Sequence, residues 1–252
     1  FSAACLAYWF LACFEDSLIV TSAPKSDQLL LMMWREIGTL WKRFQRHYPT
    51  AELLSGKIRM RNTDGDKETW AATAFVAGVG ADEDAAQKAQ GFHRKHMFII
   101  TEETPGMDTA IMNAFQHTRS DDHNIHLALG NPDHRNDQLH RFCFDETGTP
   151  RPGVVHVRIS ALDHPNVVTG ESIVPGAIGR RRLEQRTALF GVGSRLYESR
   201  IRGISPAESE DALIRWDWCV AANKRYTDPA YRLGDSALGV DVANSENGDK
   251  AA

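Results

Sequence analysis

Two adjacent glutamates are the residues of this chain best suited to catalysis. Glu102 and Glu103 follow the apolar run Met97–Ile100 and precede the turn residues Pro105 and Gly106. Ionised carboxylates beside a buried strand are costly unless a cation compensates their charge. A magnesium ion carrying a nucleotide would do so, with one carboxylate holding the metal and its neighbour orienting a water for attack on the γ-phosphate. The alternative interpretation is a strand that ends in a solvated acidic turn.

The segment before this acidic doublet, Glu102 and Glu103, is predicted to be a central strand. Four apolar residues in succession are typical of a strand that is buried on both faces within a parallel sheet. In open α/β sheets, ligands bind outside the carboxyl ends of the strands. The doublet therefore lies where such a sheet would place a binding site.

Other segments fit an alternation of strands and helices. Further apolar runs predict buried strands, and these are residues 18–21, 125–129 and 154–160. A hairpin is predicted over residues 57–76. Helical spacing of apolar residues predicts helices at residues 2–14, 28–47, 108–118, 180–191, 194–201 and 211–225. Asp108 is expected to cap its helix. The alternation predicts an α/β fold with a doubly wound, mostly parallel sheet.

The composition of the chain narrows the classes of protein to consider. Of its 252 residues, 42% are hydrophobic and 25% are charged, as in folded globular domains. The formal net charge of -4 gives no overall basic surface, so any DNA-handling surface must be local. The apolar run at residues 1–14 is too short to span a membrane. The four cysteines lack C-x-x-C spacing, which favours reduced thiols in a cytosolic protein.

Six segments, taken in order, resemble the large terminase subunit family of tailed bacteriophages, whose members package viral DNA. They are residues 20–24 with Gln28, 98–106, 127–132, 159–167, 194–203 and 238–243. In that family a RecA-like ATPase, of the P-loop NTPase class, is joined to an RNase H-like nuclease. The resemblance implies a truncated ATPase core at residues 1–165 and a small helical linker or lid subdomain at 166–235. It also implies the first strand of a nuclease domain at 236–252.

The same resemblance implies roles for individual residues. Glu102 takes the metal-binding role of the Walker B motif, where the family usually has aspartate, and Glu103 takes the role of the catalytic glutamate. Gly130 and Asn131 match the position at which the family couples the state of ATP to DNA movement. Arg94 is a candidate arginine finger acting on a neighbouring subunit's nucleotide, and an ordinary surface arginine is the alternative.

Two parts of the family pattern are incomplete in this sequence. No Gly-x-x-x-x-Gly-Lys-Ser/Thr phosphate loop occurs, and the family places one just before a helix like that at residues 2–14. We therefore expect this loop upstream of Phe1, and negligible ATP hydrolysis by the chain alone. Asp241 and Asp249 are implied as ligands of a two-metal nuclease site. Because its other carboxylates would lie downstream, no DNA cleavage by the chain alone is expected.

The resemblance also implies cofactors, partners and a location. The cofactors are ATP and Mg²⁺, with Mg²⁺ or Mn²⁺ at the nuclease site. The partners are double-stranded DNA, the portal protein, the small terminase subunit and further copies of the chain in a ring, with no membrane. The expected location is the cytoplasm of an infected bacterial host.

Several alternative interpretations stay open at this point. The chain could belong to a helicase-like or repair DNA-dependent ATPase, or be a catalytically silent fragment that binds partner proteins. A zinc site is a minor possibility, because the spacing of several residues comes close to a zinc pattern without matching one. These are His123, His126, His134, His140 and Cys143. Arg180, Arg181, Arg182 and Arg186 could contact DNA phosphates or form a solvated helix start.

Overall fold

The described part of the chain comprises residues 1–61, 70–77, 83–206 and 216–227 in a computed structural model. The chain divides into two units, Phe1–Ser209 and Glu210–Ala252. The predicted boundaries at residues 165 and 235 stay predictions. The predicted strand at the nuclease start, with Asp241 and Asp249, lies outside the described residues.

Strands and helices alternate along the first unit. The strands are β1 (Leu18–Ala23), β2 (Glu52–Leu54), β3 (Lys57–Arg59), β4 (Ala71–Val76), β5 (Met97–Thr101) and β6 (Asn124–Ala128). The helices are α1 (Ser2–Cys13), α2 (Trp34–Gln45), α3 (Glu83–Gln90), α4 (Thr109–Thr118), α5 (Gln138–Cys143), α6 (Pro165–Thr169), α7 (Arg180–Phe190) and α8 (Arg195–Tyr197). Two π-helical segments, Gln28–Met33 and Glu198–Arg202, adjoin α2 and α8. In the second unit the structure describes α9 (Trp216–Thr227).

The strands form one mixed sheet in the order β2-β3-β4-β1-β5-β6. Strands β4, β1, β5 and β6 are parallel neighbours, whereas β2, β3 and β4 pair antiparallel. The predicted doubly wound, mostly parallel sheet is therefore confirmed. The pairing of Thr101 with Ser22 on β1 and with Ala128 on β6 brings the carboxyl ends of three strands to one edge of the sheet.

Helices cover both faces of the sheet, which is why residues 97–100 of β5 are all apolar. Phe98 and Ile100 belong to the core shared with α1 and α2. Met97 and Ile99 belong to the core on the other face, shared with α3 and α4. Burial of a side chain of this size contributes about 1.5–3 kcal/mol. The prediction that residues 97–100 form a strand buried on both faces is confirmed.

A small separate core follows the sheet. Val167, Leu183, Tyr197 and Ile201 pack together around α6, α7 and α8. Ser160 joins this core to the preceding chain, because its hydroxyl donates to the carbonyl oxygen of Ile201. In the described part of the chain, no helix is long and apolar enough to cross a bilayer.

Two strand predictions need correction. Residues 154–160 form no strand; Val155, Val157 and Ile159 are 87%, 73% and 82% exposed. Alternation of apolar residues indicates a strand, but a strand also needs a partner for its backbone, and the described residues provide none here. The strand predicted at residues 125–129 exists as β6. It is less buried than expected, with Ile125 43% exposed, because β5 is its single neighbour among the described strands.

Other sequence predictions agree with the structure, with one addition. The predicted hairpin is present as the antiparallel pair β3 and β4, with residues 62–69 outside the described part. Strand β2, which the sequence analysis did not identify, extends this pair at the sheet edge. Asp108 caps α4 as expected, accepting the backbone N–H of Ala110 at 2.8 Å.

Candidate functional site

The acidic doublet lies at the carboxyl end of β5, in a tightly constrained turn. The N–H of Glu102 donates to the carbonyl oxygen of Ser22 at 2.8 Å, which fastens it to the end of β1. Glu102 is half-buried and Glu103 is exposed. Glu103 adopts a left-handed backbone with φ 49° and ψ 42°, which is uncommon for a residue with a Cβ. The surrounding contacts must therefore hold this turn.

The loop after β6 packs directly against this turn. The N–H of Thr104 donates to the carbonyl oxygen of Leu129 at 2.9 Å, and the N–H of Leu129 donates to that of Thr101 at 2.8 Å. A Cβ on Gly130 would lie 2.6 Å from Cδ of Pro105, so a glycine is required at this position. The structure thus brings Gly130 against the turn that contains the acidic doublet, and the exposed Asn131 follows Gly130 directly.

Burial and nearby charges perturb Glu102. Burial raises the pKa of its carboxyl group, and the charge of the neighbouring Glu103 raises this pKa further. Helix α1 directly precedes β1 and packs on the sheet, so its first residues lie toward the edge at which β1 and β5 end. The half-buried carboxylate of Glu102 and the first residues of α1 thus lie toward the same edge of the sheet.

Arg94 and the acidic doublet lie at opposite ends of β5, because Arg94 precedes that strand and the doublet follows it. The guanidinium of Arg94 donates to the carbonyl oxygen of His93 at 2.7 Å, and the residue is half-buried. The structure does not bring Arg94 to Glu102 and Glu103 within one chain, and action on a neighbouring subunit stays a prediction.

The sequence analysis missed a carboxylate that organises the loop after Asn131. Asp137 is buried, and its oxygens accept the backbone N–H groups of Asp133, His134 and His140 at 2.7, 3.1 and 2.7 Å. It is also the N-cap of α5. An Asp directly before a helical segment was the available signal.

This loop also contacts the small core around α6 to α8. The hydroxyl of Ser199 donates to the carbonyl oxygen of Pro132, and Arg200 pairs with Asp133 at 3.2 Å. The N–H of Arg135 donates to the carbonyl oxygen of Pro206 at 3.1 Å. A continuous set of contacts therefore joins the doublet, the Gly130 loop and residues 195–206.

The possible metal ligands and the arginines near residue 180 remain to be placed. No group of three or more His, Cys, Asp or Glu side chains that could hold a metal occurs among the described residues. Arg180 donates to the carbonyl oxygens of Val167 and Val168 at 2.9 and 2.6 Å, so it stabilises the end of α6. Arg181 and Arg186 are exposed.

Comparison with known proteins gives matches in structure only. No family model matches the sequence, and no curated protein matches it. One similar solved structure is the ATPase domain of the large terminase of Thermus phage P74-26, as a point mutant, with 12% identity and a TM-score of 0.52. The match covers 81% of this chain and 83% of that one. The chain has the fold of a phage large terminase ATPase domain.

Two further matches are large terminase structures from another thermophilic bacteriophage, one of them in complex with ADP. They are 14% and 12% identical, with TM-scores of 0.48 and 0.44. They cover 81% and 80% of this chain but 44% and 43% of the matched chains, so this chain spans less than half the length of those terminases. At these identities the likeness to terminases concerns the fold.

Proposed function

We propose that this chain is the ATPase part of a viral DNA-packaging motor, a large terminase subunit. The observation that carries the proposal is the acidic doublet, which is held at the carboxyl end of β5 beside Gly130. Glu102 would hold the magnesium ion of a bound ATP, and Glu103 would orient the attacking water and take its proton. Bound magnesium would neutralise charge on the phosphates.

The surroundings of Glu102 fit a cationic ligand and a phosphate. Burial raises the pKa of its carboxyl group, which means that the ionised form lacks full compensation in the protein alone. A divalent cation would supply that compensation. The phosphate loop that the resemblance implies just before α1 would present its backbone N–H groups to the phosphates. ATP phosphates would thus lie between α1 and the doublet.

The contacts of the Gly130 loop support a coupling role. Because Gly130 packs on Pro105, a shift of the doublet's turn would displace the loop of Asn131. Ser199 and Arg200 would receive that displacement through their bonds to this loop. Movement of the lid at residues 166–235 would then drive DNA translocation, with Arg94 acting on the nucleotide of a neighbouring subunit.

The rest of the proposed function depends on the resemblance in sequence. It comprises double-stranded DNA as the moved substrate, a homo-oligomeric ring on the portal protein, and the small terminase subunit as a partner. It also comprises an endonuclease that uses Asp241 and Asp249 with Mg²⁺ or Mn²⁺, and a location in the infected host's cytoplasm.

Nucleotide binding and turnover test this proposal in the complete gene product. We expect a fluorescent ATP analogue to bind, and Glu103→Gln to lower ATP turnover by roughly 10²- to 10⁴-fold while leaving the analogue's affinity unchanged. Glu146→Gln, at an exposed glutamate, is the control and should change neither. Absence of nucleotide binding would contradict the proposal and favour a partner-binding role.

A further inference from the structure

A chain of hydrogen-bonded side chains, two of them buried and one half-buried, runs beneath the acidic doublet. Thr101 and Thr104 are fully buried. Their hydroxyl oxygens are 2.9 Å apart, and the hydroxyl of Thr104 also lies 3.0 Å from the carbonyl oxygen of Thr101. On the neighbouring strand β6, Nε2 of His126 is 3.1 Å from the Thr101 hydroxyl. The network thus connects β6 to the turn that contains Glu103.

The number of available protons fixes the direction of these hydrogen bonds. Each threonine hydroxyl has one proton, and the geometry gives that of Thr104 to the carbonyl oxygen of Thr101. The hydroxyl of Thr101 must then donate to that of Thr104. It has no second proton for His126, so Nε2 of His126 must carry an N–H and donate to Thr101. This arrangement uses every proton in the network.

The other ring nitrogen of His126 supports the same assignment. Nδ1 is sealed from solvent and has no hydrogen-bond partner among the described residues. A buried N–H without an acceptor is costly, so Nδ1 is the unprotonated nitrogen. The ring lies against Phe142 and Phe115, with centroid distances of 4.7 and 6.1 Å. Burial, and then the charge of Arg119, lower the pKa of His126 to about 3, so the ring is neutral near pH 7.

The hydrogen bonds between Thr101 and Thr104 span the turn that contains Glu103. Thr101 and Thr104 flank the doublet, and the left-handed conformation of Glu103 persists only if its surroundings hold it. We propose that His126 is a positioning residue which, as a neutral Nε2–H donor acting through Thr101 and Thr104, holds the turn that aims Glu103. This inference rests on the proposed catalytic role of Glu103.

The first test determines which nitrogen of the His126 ring carries the proton, and it needs no nucleotide. In the complete gene product with ¹⁵N-labelled histidine, the His126 signal is assigned by its loss in His126→Gln. We expect a neutral ring with a proton on Nε2 and none on Nδ1 from pH 7.5 to pH 5. A proton on Nδ1, or a charged ring in this range, would overturn the inference.

The second test separates positioning from nucleotide binding. We expect Thr104→Val and His126→Leu to lower kcat for ATP by roughly 10- to 100-fold, because small misplacements of catalytic groups have effects of this size. Nucleotide affinity should stay within about twofold of wild type. The conservative variants Thr104→Ser and His126→Gln keep the donors and should retain kcat within about threefold of wild type.

A matched control tests whether loss of any buried hydroxyl has this effect. Thr118 is also buried, and its hydroxyl donates to the carbonyl oxygen of Phe115 at 3.0 Å within α4. Thr118→Val should leave kcat unchanged. An unchanged kcat in Thr104→Val, or an equal loss in Thr118→Val, would contradict positioning.

A structural readout separates failure of this inference from failure of the proposed function. If the wild-type protein neither binds nor hydrolyses ATP, the ATPase proposal fails. The ring tautomer and a crystal structure of Thr104→Val still decide the structural part. We expect Glu103 to leave the left-handed region in that variant. Retention of its wild-type backbone would overturn the inference, whatever the nucleotide data show.

Discussion

Strand β5 and segment 154–160 have similarly strand-like sequences but very different surroundings. Strand β5 pairs with β1 and β6 and is buried throughout, and its end is fastened to Ser22 and Leu129. Segment 154–160 exposes its alternating apolar residues and pairs with no described strand. An apolar pattern therefore indicates what a segment could form, whereas the available backbone partners determine what it does form.

The largest expected effect comes from the same substitution in both regions. Ile99→Ala in β5 should lower the free energy of unfolding by about 2–5 kcal/mol, because Ile99 is fully buried between two strands. Ile159→Ala should change it by less than about 0.5 kcal/mol. Denaturant unfolding of the two variants measures both values. Similar losses would mean that segment 154–160 packs against something in solution.

A smaller effect is expected where the Gly130 loop meets the end of β5. Gly130→Ala should destabilise the fold by about 1–3 kcal/mol, because its Cβ would lie 2.6 Å from Cδ of Pro105. Gly38 is the control, since a Cβ there meets nothing within 4 Å. Because alanine favours helices, Gly38→Ala in α2 should stabilise by up to about 1 kcal/mol. If Gly130→Ala leaves the free energy of unfolding unchanged, the loop after β6 does not pack tightly against the turn that contains Glu102 and Glu103.

The pH dependence of stability tests the burial of His126, which lies on β6 beside β5. Burial lowers the pKa of His126 to about 3, whereas in the unfolded chain it is about 6.5. As the pH falls below about 6.5, His126 binds a proton in the unfolded chain but stays unprotonated in the folded chain. The free energy of unfolding should therefore fall by up to about 1.4 kcal/mol per pH unit.

Unfolding curves between pH 7 and pH 5 measure this slope. His126→Gln should remove this part of it, since glutamine does not titrate. Arg119 is the charged group that acts on the ring, and its charge does not change in this range. An unchanged slope in His126→Gln would contradict the exclusion of Nδ1 of His126 from solvent.

The sequence predicted the fold and the position of the doublet because both depend on local signals. Residues 97–100 are apolar in succession, and Asp108 stands at a helix start. Polar contacts between distant segments could not be predicted in this way. His126 meets Thr101 only because β6 pairs with β5, so its isolated spacing suggested a metal site.

Strand order likewise determines which glycine is required. The family resemblance pointed to Gly130, but its contact with Pro105 arises because the carboxyl ends of β5 and β6 lie side by side. The exposure of Val155 and Ile159 was unpredictable for the converse reason. Alternation within a segment carries no information on whether another strand lies beside it.

The smallest expected effect concerns the charge at the end of β5. Burial, and then the charge of Glu103, raise the pKa of Glu102, so the ionised carboxylate is less favourable in the folded than in the unfolded chain. Glu102→Gln should therefore raise the melting temperature at pH 7, by about 1–2 °C for a unit of this size.

The gain from Glu102→Gln should diminish toward pH 4, where the wild-type carboxyl group is increasingly protonated in both states. Glu146→Gln, at an exposed site, should give no such gain. Thermal unfolding of the two variants at pH 7 and pH 4 provides the comparison. A lower melting temperature for Glu102→Gln at pH 7 would mean that a cation of the protein already compensates this carboxylate. Glu102 would then belong to a structural ion pair, and no bound metal would be needed to balance its charge.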